Sequence, residues 1–130
     1  MINPTTLTAA LEDALDHLAL AVADINRANG WFDGERSVGD DIALLHSEVS
    51  EMFEAYRDHG LDDVTGETLR TYHGRIVAPA KPEGFGSECA DVLIRLLDTC
   101  HRHGVNLAGE VMRKLAYNET RGYRHGGKRI

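Results

Sequence analysis

The stretch Ile42-Ala-Leu-Leu-His-Ser-Glu48-Val-Ser-Glu51-Met-Phe-Glu54-Ala-Tyr56 decides the fold of this chain. Ile42, Leu45, Val49, Met52, Phe53 and Tyr56 recur at three- and four-residue steps, the period of an amphipathic helix and not of a strand. Glu48 and Glu51 ride on the same helix, and at i, i+3 the second acid lies only about 60° round from the first. The spacing returns downstream in Glu88-Cys-Ala-Asp91, again within a helical pattern.

With Glu48 at 0°, the apolar residues of its helix centre near about +85° and Glu51 lies at about −60°. Measured from Glu88, the apolar residues centre near about +100°, and Asp91 again falls at about −60°. If the two helices pack side by side, the four carboxylates line one groove beside the core. Four anionic side chains brought together suit a hard divalent cation, Mg²⁺ with Mn²⁺ as a substitute. Either pair alone reads as an ordinary solvated face; two pairs of equal phase favour the groove. Glu48, Glu51, Glu54 and Asp58 also crowd one side of their helix with few basic partners. Each like-charge neighbour there costs about 0.2–0.5 kcal/mol, which a bound cation offsets.

Outward from this centre the pattern stays helical. Asn3-Pro4 starts a first helix, whose stripe is Leu7, Leu11, Leu15, Leu18, Val22 and Ile25, and Asn29-Gly30 stops it near Ala28. Either Ser37 or Asp40 caps the second helix, and His59-Gly60 closes it. A third helix runs from near Ser87 to His103-Gly104, and Asn106 caps a fourth with Leu107, Val111, Met112 and Leu115 on its apolar face. Between the second and third helices, residues 61–85 form a long irregular insertion with one β-like run, Arg75-Ile76-Val77-Ala78. A connection of that length is usually functional. The expected fold is therefore all-α, a single domain of four helices, since 130 residues supply one core and not two.

Lys114, Asn118 and Arg121 fall at i, i+4 and i+7 of the fourth helix. An ammonium, an amide and a guanidinium on one stripe suit phosphate oxygens, although a solvated helix face explains them equally when taken alone. Trp31, in Gly-Trp-Phe-Asp-Gly, is suited to stacking on a base or to anchoring a core or dimer contact. His125-Gly126-Gly127-Lys128 reads as a flap over phosphate or as a frayed end.

The net charge of −7 argues against a nonspecific nucleic-acid or membrane-surface binder, despite a locally basic C-terminus. No apolar run approaches the ~20 residues of a membrane span, and no signal-peptide pattern opens the chain. Cys89 and Cys100 fall on one helix about 16 Å apart, beyond disulfide reach, so they are expected as buried, reduced thiols of a cytoplasmic protein.

The ordered set resembles the MazG-type, all-α nucleoside triphosphate pyrophosphohydrolases. The residues that carry the likeness are Glu48 and Glu51 (ExxE), Glu88 and Asp91 (ExxD), and Lys114-Leu-Ala-Tyr-Asn118-Glu-Thr-Arg121; the likeness spans roughly residues 15 to 128. The chain departs from the family pattern at Ser47, where many members carry a further acid, and in the long gap between Glu51 and Glu88. The resemblance implies a MazG-like four-helix bundle that hydrolyses a nucleoside triphosphate to the monophosphate and pyrophosphate. It makes Glu48, Glu51, Glu88 and Asp91 the Mg²⁺ ligands. It makes one of the glutamates, or Glu54, the general base. It gives Lys114, Arg121 and Lys128 to the leaving pyrophosphate and Asn118 to phosphate or sugar. The family pairs subunits to complete its sites, which implies a homodimer or dimer of dimers. Two rivals stand beside this reading: a non-catalytic helical interaction module, and a hydrolase of the same fold acting on a nucleoside diphosphate or a modified nucleotide.

Overall fold

The computed structural model describes residues 4–61, 70–72, 75–78, 81–123, 127 and 129. It is all-α: four helices, α1 (Pro4–Ala28), α2 (Val38–His59), α3 (Phe85–Arg102) and α4 (Leu107–Thr120), with a small antiparallel ribbon, β1 (Arg70–Tyr72) and β2 (Arg75–Ala78). β2 coincides with the β-like run expected from the sequence. Much of the remaining 61–85 insertion, and Lys128 with most of the proposed flap, lie outside the described residues. No helix among the described residues is long and apolar enough to cross a membrane.

The helix ends follow from local chemistry. Ser37 and Asp40 are two halves of one capping box: the Asp40 N–H donates to Ser37 Oγ at 3.1 Å, and the Ser37 N–H donates to Asp40 Oδ2 at 3.0 Å. Asn106 caps α4 by accepting from the Gly109 N–H at 3.0 Å. α1 and α3 end alike. After α3, the Val105 N–H reaches Cys100 O and the Gly104 N–H reaches His101 O; after α1, Trp31 and Gly30 make the same pair of bonds to Asn26 and Arg27. This double closure needs a left-handed residue, supplied by Gly104 (φ 68°) and Gly30 (φ 81°).

The chain divides into two compact units. One holds α1 and α4, which pack on each other; Val22 and Ala23 of α1 and Ala108 of α4 are buried. α4 has 14 residues against 25 for α1, about 21 Å against about 38 Å, so it leaves part of α1 uncovered. The expected α1 stripe is therefore only partly buried: Val22 is enclosed, while Leu11, Leu18 and Ile25 are exposed. Within this unit the Phe32 ring lies under two guanidiniums, Arg102 at 4.0 Å and Arg27 at 5.2 Å from its centroid.

The other unit holds α2, most of α3 and the ribbon. α2 and α3 run antiparallel, as successive contacts show: Arg36 to Asp98, Glu48 to Arg95, Met52 Sδ to Cys89 Sγ at 3.3 Å, and Tyr56 edge-on to Phe85. The residues of α2 that turn inward are Asp41, Leu44, Leu45, Glu48, Met52 and Ala55. This corrects the expected phase. The inward face is centred on Glu48 itself, and Ile42, Val49, Phe53 and Tyr56 remain 42–61 % exposed. The reason is a set of charged contacts with α3 that no apolar period records. Arg36 Nε lies 2.9 Å from Asp41 Oδ1 and Arg36 Nη2 lies 3.1 Å from Asp98 Oδ2, with both aspartates enclosed. The cysteines are unpaired with each other as expected, but half-buried and not fully buried.

Candidate metal centre

Glu48 and Glu51 sit one turn apart on α2, and Glu88 lies in the first turn of α3. The antiparallel pairing brings the three together, each with one carboxylate oxygen within 4.8 Å of the others. Like charges at such separation repel strongly unless a cation or a proton intervenes. Glu88 registers the strain. Burial holds its proton affinity above the ordinary carboxylate range, the charges of Asp91, Glu51 and Glu48 add to the effect, and Lys81 opposes it. Three hard oxygen donors in this arrangement fit a divalent cation of the Mg²⁺ or Mn²⁺ type.

Asp91 is half-buried one turn beyond Glu88 and stands outside the converging trio. Of the four acids expected to line one groove, three have carboxylate oxygens within 4.8 Å of one another, and the charge of the fourth, Asp91, acts on Glu88. Glu48 carries an additional tie: Arg95 donates Nη2–H at 2.8 Å and Nε–H at 3.2 Å, both to Glu48 Oε1.

A cleft of about 230 Å³ opens beside the trio. α2 contributes Glu51, Glu54, Asp58 and His59 to its wall, and the segment entering α3 contributes Lys81, Glu83 and Gly84 ahead of Glu88. Glu54, the expected alternative base, therefore shares a cavity with two of the acids. Gly84 has φ 104°, a backbone region that other residues rarely adopt, where the Lys81–Glu83 segment turns into α3.

Lys114 and Asn118 are exposed on α4, in the other unit. Arg121 departs from the expected stripe: α4 ends at Thr120, and Arg121 has extended backbone (φ −79°, ψ 125°) with its guanidinium over the Tyr117 ring at 5.6 Å. The Arg121 N–H closes the helix on Asn118 O, so the residue terminates the stripe and does not continue it. Trp31 is 60 % exposed in the turn after α1, and its carbonyl accepts from Arg102 Nη2 at 3.0 Å.

Sequence reasoning missed Lys81, Glu83, Arg95 and the Arg36–Asp41–Asp98 cluster. Arg95 was within reach of a pattern argument, since it lies seven residues after Glu88 and so on the same face of its helix. No family model, curated protein or solved structure matches this chain.

Proposed function

We propose that this chain is a Mg²⁺-dependent nucleoside triphosphate pyrophosphohydrolase that releases the monophosphate and pyrophosphate. The observation that carries the reading is the convergence of Glu48, Glu51 and Glu88 beside an open cleft. Those three residues, together with Asp91, would hold the ion; Asp91 is close enough to be felt electrostatically by Glu88. A bound divalent ion supplies charge neutralisation for the phosphates and a lowered pKa for the attacking water. Glu54, which lines the same cleft, would serve as the general base, the role shared among the glutamates by the resemblance. The MazG-type resemblance assigns Lys114, Arg121 and Lys128 to the phosphates and Asn118 to phosphate or sugar; Trp31, an exposed aromatic, would stack on the base.

The chain is proposed to act as a homodimer or dimer of dimers. Support comes from large apolar side chains left at the surface, Phe53 at 61 % and Ile25 at 62 % exposure among them. Light scattering on the purified chain reads the state directly.

One observation favours the non-catalytic rival. Glu48 already has a cationic partner in Arg95, the arrangement of a residue that holds two helices together. Turnover separates the readings. The eight common ribo- and deoxyribonucleoside triphosphates are screened for Mg²⁺-dependent pyrophosphate release by the wild type, Glu48→Gln and Asp91→Asn. The enzymatic reading expects release by the wild type and its loss in both variants, with the helical circular dichroism intact. Unchanged activity in both would refute the metal assignment.

A further inference from the structure

The cleft beside Glu51 and Glu88 has a charge problem that its own wall partly answers. Glu51, Glu54, Asp58, Glu83 and Glu88 face it, five carboxylates around about 230 Å³. A phosphate-bearing ligand entering such a space meets repulsion from every side unless cations intervene. A metal ion at the Glu48–Glu51–Glu88 end supplies part of that charge. Among the described residues lining the cleft, Lys81 is the one lysine or arginine.

Position favours Lys81 as well. It comes from the segment entering α3, whereas Glu51, Glu54 and Asp58 come from α2. It is exposed and outside any helix, so its four-carbon stem can follow a ligand. At about 230 Å³ the cleft is smaller than the ~300–1,000 Å³ of sites that enclose a drug-sized molecule, a size that suits a phosphate group better than a whole nucleotide.

We infer that Lys81 is a phosphate-binding residue of this cleft, contacting the oxygens of a polyphosphate group whose metal is held by Glu48, Glu51 and Glu88. The inference rests on the metal reading above and deepens it. Nothing in the helical periodicity marks Lys81, because it sits on a connecting segment whose place is set by Gly84 and by the start of α3.

The test uses the full chain and two probes, Mn²⁺ alone and then inorganic pyrophosphate added to Mn²⁺-loaded protein, each followed by titration calorimetry. Lys81→Gln is expected to bind Mn²⁺ at least as tightly as the wild type, since a competing positive charge is gone. Its pyrophosphate affinity is expected to fall by about tenfold, the size of one charge-assisted hydrogen bond, with Lys81→Arg keeping most of it. Pyrophosphate binding by Lys81→Gln equal to wild type, or no pyrophosphate binding by the Mn²⁺-loaded wild type, overturns the role of Lys81 and leaves the metal reading standing. A wild-type chain that takes no Mn²⁺ overturns the metal reading and the role of Lys81 together. Lys81 is exposed and outside the helices, so unchanged circular dichroism is expected throughout.

Discussion

Arg95 delivers two N–H groups to the same oxygen of Glu48, at 2.8 and 3.2 Å, and neither goes to the second carboxylate oxygen. One residue of the acidic trio is therefore oriented by α3 before any ligand arrives. The guanidinium also offsets part of the charge that Glu51 and Glu88 present to Glu48.

Removing that partner has two readable effects. Arg95→Met leaves a carboxylate that is 13 % exposed without its cation, and unfolding in urea should show a loss of about 1–3 kcal/mol. Saturating Mn²⁺ should then recover more stability in the variant than in the wild type, because the ion takes over the guanidinium's role. Equal Mn²⁺ responses in the two proteins would remove Glu48 from the ligand set.

Glu88 makes the site sensitive to pH in a defined direction. Its proton affinity is raised in the folded chain by burial and then by Asp91 and Glu51, so the native state binds more protons than the unfolded state through that window. Stability of the metal-free protein should accordingly fall as pH rises from the ordinary glutamate range through the raised value. Glu88→Gln should flatten that part of the curve. Mn²⁺ should reverse the trend, since it needs the ionised carboxylate, and its affinity should drop as the medium is acidified through the same window. A Glu88→Gln curve that overlays the wild type would assign the pH response elsewhere.

The helices were legible because their signals are local. The 3.6-residue period, the Ser37–Asp40 box, Asn106 and the glycines at 30 and 104 each act within a turn of their own position. The phase of α2 was not legible, because it is decided across space. Arg36 and Asp98 lie 62 positions apart, and their pairing with Asp41 turns the charged side of α2 inward and carries Ile42, Val49 and Phe53 outward. Of the acidic cluster, the i, i+3 spacing put Glu48 and Glu51 on one side of α2, and the antiparallel pairing with α3 brought Glu88 to them. Asp91 fell outside the trio because i, i+3 proximity on α3 does not guarantee reach across to α2. Lys81 and Glu83 had no periodic signature at all.

The Arg36 cluster should be the strongest electrostatic contributor to the fold. Asp41 and Asp98 are 0 % and 1 % exposed, and Arg36 bridges both. Arg36→Met removes the cation that two enclosed carboxylates share and should cost about 3–5 kcal/mol by urea unfolding. Replacing all three residues with apolar ones of similar volume should cost much less, since the desolvation penalty leaves with the charges. If Arg36→Met unfolds at the wild-type midpoint, the cluster contributes little to stability.

Gly84 links the backbone to the cleft. Its φ of 104° is one that a side chain resists, and it stands between Lys81–Glu83 and the first turn of α3 that holds Glu88. Gly84→Ala should therefore destabilise the chain by about 1–3 kcal/mol through strain alone. The chain can relieve that strain by rotating the segment ahead of α3, which moves Lys81 away from the acids of α2. Mn²⁺ binding, which depends on residues already within the helices, should survive in Gly84→Ala. Pyrophosphate binding to the Mn²⁺-loaded variant should weaken as it does in Lys81→Gln, and the double variant should be no worse than either alone. Additive losses in the double variant would mean that Gly84 and Lys81 act on separate features.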